Sequence, residues 1–154
     1  TSIGDSAFYG CIKLTQMQIP SSVNSIGNSV FYGCSSLKQI LILSFVTSIG
    51  DSTFFGCSSL TQISIPSSVT SIKFKAFYKC SLLNQISSSV TSIGSFAFYK
   101  CSSLVQINIP SSVTSIGKNS FCGCSSLNHI SIPSSLNHFR NNLGITQKTN
   151  VTLF

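Results

Sequence analysis

The amino-acid sequence predicts a mainly β repeat solenoid, a coil built from stacked copies of one short unit. Six isoleucines, each preceded by serine, begin equivalent units: Ile3, Ile26, Ile49, Ile72, Ile93 and Ile116. Their spacings are 23, 23, 23, 21 and 23 residues, and a fixed period in the twenties is typical of solenoids. Within every unit, apolar residues also recur at fixed offsets, which indicates that like side chains stack from coil to coil.

Each unit contains two segments that are predicted to be extended. One reads V-T-S-I, as at Val69–Ile72. The other reads Q-I-S-I, as at Gln62–Ile65, and alternates polar with β-branched apolar residues, as a short strand does. In four units a proline closes the second segment, at a corner where no backbone N–H is needed for a ladder: Pro20, Pro66, Pro110 and Pro133.

A turn follows the V-T-S-I segment, and a single helical or 3-10 turn is expected there. Short polar residues precede it and are predicted to act as its N-caps: Asp5, Asn28, Asp51 and Ser95. Glycine, which tolerates a positive φ, stands where the chain leaves this turn in four units: Gly10, Gly33, Gly56 and Gly123.

The predicted core consists of ladders of equivalent residues. A phenylalanine lies five residues after each first isoleucine: Phe8, Phe31, Phe54, Phe77, Phe98 and Phe121. A cysteine lies eight residues after it: Cys11, Cys34, Cys57, Cys80, Cys101 and Cys124. Leucine follows at eleven residues, and isoleucine or methionine at fourteen. The cysteines are therefore expected to be buried thiols that act as small hydrophobic groups.

The pattern I-P-x-x-V-x-x-I-G-x-x-A-F-x-x-C-x-x-L-x-x-I-x-I-P resembles the BspA-like class of leucine-rich repeats. The resemblance covers residues 1 to about 139 and recurs six times. It implies a right-handed leucine-rich-repeat coil whose L-x-x-I-x-I strands form a parallel sheet on the concave side. It further implies a protein that binds other proteins, frequently at the surface of host-associated microbes. A cytoplasmic location stays open.

Two units depart from the pattern, and the end of the chain abandons it. The fourth unit lacks the Ile-Pro pair, so one coil is shortened near residues 87–89 and a kink or short strand is expected there. In the second unit Leu41, Leu43 and Phe45 predict an apolar bump. Residues 140–154 are expected to form a C-terminal cap or tail beyond the solenoid of residues 1–139, with four apolar residues covering the last coil: Leu143, Ile145, Val151 and Leu153.

Composition limits the chemistry that the chain can perform. Charged residues make up 7% of the 154 residues, hydrophobic residues 42%, and the net charge is +7. No apolar run reaches the 18 or more residues of a membrane span. The chain begins in the middle of a repeat at Thr1, and we expect it to be a piece of a longer array.

Catalytic and metal-binding groups are scarce. The acids are Asp5 and Asp51, and the histidines are His129 and His138. The repeats bring no serine, histidine and acid together as a catalytic triad requires. The seventh cysteine, Cys122, forms C-G-C with the ladder, but no second pair completes a zinc set. The sequence therefore predicts neither an enzyme nor a cofactor, metal or small-molecule substrate.

Two surfaces are candidates for binding a partner. The first is the outward row of the Q-I-S-I strands, which we call the glutamine face: Gln16, Gln39, Gln62, Gln85, Gln106 and His129. Its amides either bind a partner protein or only hydrogen-bond one another along the sheet. The second, the lysine surface, suits an anionic glycan, a lipid headgroup or nucleic acid, or is simply a solvated face: Lys73, Lys75, Lys79, Lys100 and Lys118. End-to-end self-association is a further expectation.

Overall fold

The computed structural model describes residues 1–43, 45–87 and 90–154, with the backbone alone at 85–87. The fold is a mainly β parallel solenoid of about six turns. The V-T-S-I segments supply short strands: β1 Ser2–Ile3, β3 Ser25–Ile26, β5 Ser48–Ile49, β7 Ser71–Ile72, β9 Ser92–Ile93 and β11 Ser115–Ile116. The Q-I-S-I segments supply longer ones: β2 Gln16–Ile19, β4 Gln39–Ile42, β6 Gln62–Ser64, β8 Gln85–Ser87, β10 Gln106–Asn108 and β12 His129–Ile132.

Equivalent strands of successive coils pair in parallel, as predicted. The longer strands form one sheet in the order β2-β4-β6-β8 and a second that includes β10 and β12, while β5, β7, β9 and β11 share another sheet. The register joins like residues: Gln39 is opposite Gln16 and Gln62, and Ile40 is opposite Ile63. Ile40 and Ile63 point inward and are buried, whereas Gln39 and Gln62 point outward and are exposed, because successive side chains of a strand point to opposite faces.

The core is the set of predicted ladders. The rings of the phenylalanine ladder are parallel, with centroids 5.4 Å apart between Phe31 and Phe54 and 5.3 Å apart between Phe54 and Phe77. From Phe31 onward these rings are buried, whereas Phe8 is only partly buried because it belongs to the first coil. The coils therefore pack through layers of identical side chains, which explains why the period is so strict.

The prediction that Asp5, Asn28, Asp51 and Ser95 act as N-caps is wrong. Asp5 accepts a hydrogen bond from the backbone N–H of Asn28 at 2.6 Å, and Asn28 accepts one from Asp51 at 2.9 Å. Asp51 in turn accepts from Phe74 at 3.1 Å, so each side chain joins its coil to the next one. The turn is not a helix, because its backbone N–H groups alternate between two kinds of acceptor. Some donate to the next coil, as Ser6 does to the carbonyl of Asn28 at 2.9 Å, and others donate three residues back, as Tyr9 does to Ser6 at 2.9 Å. Few N–H groups are left for a cap.

The cysteine ladder is more polar than predicted. Each buried thiol donates to the carbonyl of a phenylalanine in the preceding coil, for example Cys57 to Phe31 at 3.1 Å and Cys80 to Phe54 at 3.0 Å. The same carbonyl also accepts a hydrogen bond from the backbone N–H of the cysteine in its own coil. The N–H of Cys57, for example, donates to the carbonyl of Phe54 at 3.1 Å. The thiol thus uses the second lone pair of a buried carbonyl, which alanine would leave unused.

The end of the chain lies over the last coil. A 3-10 helix spans Ser134–Asn142, across the predicted boundary between solenoid and tail, and strand β13, Asn150–Leu153, pairs in parallel with β12. Leu143 is buried, and Ile145 and Val151 pack against the core. Leu153, expected in the same cluster, is 41% exposed instead. The division at residue 139 stays a prediction, and the kink predicted near 87–89 falls largely on residues outside the described ones.

Candidate binding surfaces

The glutamine face forms a row of side chains in register along the parallel strands. The pairing places Gln16, Gln39, Gln62 and Gln85 opposite one another, and Gln106 opposite His129. The side chains of four glutamines are exposed, and that of the histidine is half-buried. The side chain of Gln85 lies outside the described part of the structure. The strands therefore bring these predicted residues together on one face.

The amides of this face are available to a partner. Among the glutamines whose side chains the structure describes, none hydrogen-bonds the next one along the row. At one end, Gln16, Met17, Gln39 and Leu41 contribute to the lining of an open depression of about 400 Å³. The face thus combines unpaired hydrogen-bonding groups with a partly apolar hollow.

The apolar bump of the second unit is confirmed. Leu41 is 37% exposed, Leu43 46% and Phe45 78%, so three large apolar side chains protrude around the end of β4. Proline and polar residues occupy these offsets in most other units. Of the three side chains, Leu41 also lines the depression at the end of the glutamine face.

The lysine surface lies along the turns of coils four to six. Lys73, Lys79, Lys100 and Lys118 are exposed, and Lys75 is half-buried. Both acids of the chain precede them in sequence, and no acidic residue follows Asp51. The coils that carry these lysines contain no acid of their own. One carboxylate still reaches the edge of the lysine surface, because Asp51 accepts the backbone N–H of Phe74, between Lys73 and Lys75, at 3.1 Å.

Beside the lysines runs a column of five stacked aromatic rings. Its members stand one residue after the core phenylalanines: Tyr9, Tyr32, Phe55, Tyr78 and Tyr99. Neighbouring centroids lie 4.8, 4.4, 4.6 and 4.6 Å apart, with interplanar angles of at most 14°. Tyr9 is exposed and the other four rings are half-buried. Each inner ring is covered on both faces by its neighbours, so that the column presents its edges to solvent.

The ammonium groups of three lysines lie close to aromatic rings. The Nζ of Lys79 lies 5.8 Å from the centroid of Tyr78, and that of Lys100 lies 5.6 Å from Tyr99. The Nζ of Lys75 lies 4.8 Å from Phe74. A cation over a free ring face contributes about 0.5–1 kcal/mol at exposed sites. Both faces of Tyr78 are covered by Phe55 and Tyr99, so this energy does not apply to Lys79. Phe74 was not among the predicted site residues, although it stands at an offset where the other units have a polar residue.

Three of the lysines adopt a backbone conformation that favours glycine. Lys75, Lys79 and Lys100 have φ of 53°, 59° and 58°. The last two replace the glycines that other coils place at the same offset, such as Gly56 with φ of 71°. A residue with a Cβ atom is strained in this region, so the two lysines stand where the fold itself prefers glycine.

Burial controls the chemistry of the cysteines. Desolvation raises the pKa of the Cys80 and Cys101 thiols well above the usual value, and that of Cys124 to about 12. Cys122 is half-buried. Cys11 is exposed, contrary to the prediction for the ladder, because no coil precedes it in the structure. All seven cysteines are free thiols.

The histidines lie on separate elements. His129 is in β12, and His138 is in the 3-10 helix beside Phe139, with ring centroids 4.1 Å apart. Within residues 1–43, 45–87 and 90–154, no three His, Cys, Asp or Glu side chains are grouped so as to hold a metal ion. The part of the chain that the structure describes also contains no helix that is long and apolar enough to cross a membrane.

Comparison with known proteins relates the chain to bacterial repeat proteins. It matches a leucine-rich repeat protein of Bacteroides ovatus with a TM-score of 0.90 and 35% identity, over 100% of this chain and 40% of that one. A leucine-rich cell surface protein of Faecalibacterium prausnitzii matches with a TM-score of 0.68 and 38% identity, over 84% and 42%. A leucine-rich repeat protein of Eubacterium ventriosum matches with a TM-score of 0.79 and 30% identity, over 90% and 37%.

The chain thus spans less than half the length of each of these proteins. No curated protein matches it in sequence. The fold that it shares with its structural neighbours is that of a non-enzymatic repeat scaffold. The family model for the BspA type leucine-rich repeat region matches residues 1–87 and 83–143, with six copies. The chain therefore belongs to the BspA-type leucine-rich repeat family.

Proposed function

We propose that this chain is a protein-binding module of a larger repeat protein and that it engages its partner through the glutamine face. The observation that carries the proposal is the row of exposed amides at Gln16, Gln39 and Gln62, in register and not hydrogen-bonded to one another. Repeat proteins use extended surfaces of this kind for binding.

The chemistry of the face favours a protein as the partner. An amide side chain offers two donors and an acceptor, so the row complements the peptide groups and polar side chains of another protein. The apolar hollow at Met17 and Leu41, with the bump at Phe45, adds area whose burial stabilises a complex. Since the glutamines carry no charge, binding should depend little on ionic strength.

The setting of the module is proposed from its relatives. The similar protein of Faecalibacterium prausnitzii is a cell surface protein. A module of the same family that carries an exposed row of amides would serve adhesion or recognition at a cell surface. The partner would then be a protein of a neighbouring or host cell.

The test compares two pairs of substitutions that add the same charge. Proteins captured on the immobilised chain would be purified and their binding measured again with pure components. Gln39→Glu with Gln62→Glu places two like charges on facing strands and should weaken binding at least about tenfold. Gln147→Glu with Asn137→Asp adds the same charge at exposed sites of the C-terminal region, and should change binding little.

Two outcomes would refute the proposal. One is equal binding by the glutamine-face pair and the wild type. The other is an equal loss in both pairs, since net charge alone would then explain the effect. A steep fall of wild-type binding with added salt would also point away from a neutral amide surface.

A further inference from the structure

The structure assigns a second binding site to the lysine surface and the adjoining ring column, and we propose that this site binds a linear anionic polysaccharide along the solenoid axis. The site is separate from the glutamine face and does not depend on the function proposed for it. Lys79 and Lys100, in successive coils beside Tyr78 and Tyr99, form its centre.

The inner rings of the column are closed to ligands that bind by stacking. Nucleobases and the apolar faces of sugars pack on exposed ring faces. Here the faces of Tyr32, Phe55 and Tyr78 are covered by neighbouring rings at 4.4–4.8 Å. Of these three inner rings, only the edges and the phenolic hydroxyls are left for a ligand. An aromatic edge carries partial positive charge and a hydroxyl can donate a hydrogen bond, so both favour an anionic group.

The backbone supplies an independent reason to regard the lysines as functional. Gly10, Gly33, Gly56 and Gly123 occupy the offset of Lys79 and Lys100, all with positive φ. Placing lysine there twice, in adjacent coils, imposes strain that glycine avoids. Non-glycine residues with positive φ occur at another offset in every coil, as at Ser29 and Ser52, so the informative feature is the replacement of glycine by lysine at this offset. A role for these ammonium groups would explain why strain is accepted at both positions.

The repeat of the site selects a polymer over a single ion. Equivalent residues of adjacent coils lie about 4.8 Å apart along the axis, and Lys79 and Lys100 are such a pair. An extended polysaccharide that carries sulfate or carboxylate groups presents negative charges at regular intervals in one direction. It can therefore contact both ammonium groups at once, and the link between the two contacts increases the affinity.

The test uses heparin as the probe. Binding of the whole chain to heparin would be measured at low salt and during a salt gradient. Lys79→Gly with Lys100→Gly restores the residue of the other coils, removes strain and should weaken binding about tenfold. Lys13→Ser with Lys148→Ser removes the same charge from exposed positions elsewhere, and should change binding by no more than about twofold.

A gain of affinity completes the test. At Gly33 and Gly56 an added Cβ atom would have its nearest neighbour at 3.9 Å in each case, so Gly33→Lys with Gly56→Lys can extend the row of lysines. This pair should elute from heparin at higher salt than the wild type. Equal losses in the two lysine pairs would overturn the proposal, since net charge would then suffice. Tighter binding to oligothymidylate or to phosphatidylserine vesicles than to heparin would overturn the ligand class.

Discussion

Removing one buried thiol should alter how the stability of the solenoid depends on pH. Cys80 is fully buried, and its thiol donates to the carbonyl of Phe54 at 3.0 Å. Burial raises its pKa well above the 9.0 of a free thiol. Cys80→Ala removes a buried sulfur and its hydrogen bond, and should lower the free energy of unfolding at pH 7 by about 1–2 kcal/mol.

The loss of stability caused by Cys80→Ala should disappear as the pH rises. The pKa of the Cys80 thiol is higher in the folded state than in the unfolded state, so above pH 9 only the unfolded thiol ionises. The thiol therefore stabilises the fold fully below pH 9 and loses this contribution as the pH rises further. The loss is about 1.4 kcal/mol per pH unit. At about pH 10 the wild type should therefore have lost roughly 1.4 kcal/mol through this residue, and the two proteins should be about equally stable.

The assay is urea unfolding under reducing conditions at a series of pH values between neutrality and about pH 10. Ile72→Val is the matched control, because Ile72 is 1% exposed and does not titrate, so its difference from the wild type should stay constant with pH. A difference between Cys80→Ala and the wild type that also stayed constant would refute the reasoning. It would mean that the thiol ionises as readily in the fold as outside it.

Three further predictions concern other ladders and surfaces. Phe77→Ala should cost about 3–5 kcal/mol in urea unfolding, and more than Phe8→Ala, whose ring is half-buried and stacks on a single neighbouring ring of the ladder; equal losses would contradict the ladder. Cys11 and Cys122 should react with a thiol reagent in the native protein, and mass spectrometry should find the other cysteines labelled only after unfolding. Lys79→Gly should leave thermal stability unchanged or raised, because relief of the positive φ offsets the lost ring contact; a lower melting temperature would contradict this.

The sequence was sufficient to predict the coil and its ladders, because stacking in register requires the same residue type at the same offset. Phe54 and Ile63 illustrate this: each lies between its own copies in the coils before and after. The roles of Asp5 and Asp51 were predicted wrongly, since a short polar residue before a turn suits an N-cap as well as a bond between coils. Only the path of the backbone decides between the two.

The two candidate surfaces were less predictable. The exposed residues of a solenoid are not fixed by its period, so Phe74 and Lys75 can vary without disturbing the core. The contacts of Lys75 with two rings depend on side-chain directions that the pattern does not contain. The exposure of Cys11 reflects the position of its coil rather than its residue type. Sequence patterns located the two surfaces, while their geometry required the structure.

The bonding of each coil to its immediate neighbours has a consequence for how such proteins evolve. Duplication of one 23-residue segment of the gene would add a rung to every ladder and leave existing contacts in place. It would lengthen the glutamine face and the ring column together, each by about 4.8 Å. A substitution of one outward residue, such as Gly33→Lys or Gly56→Lys, would change one surface alone. Length and specificity can therefore be selected separately, by different kinds of mutation.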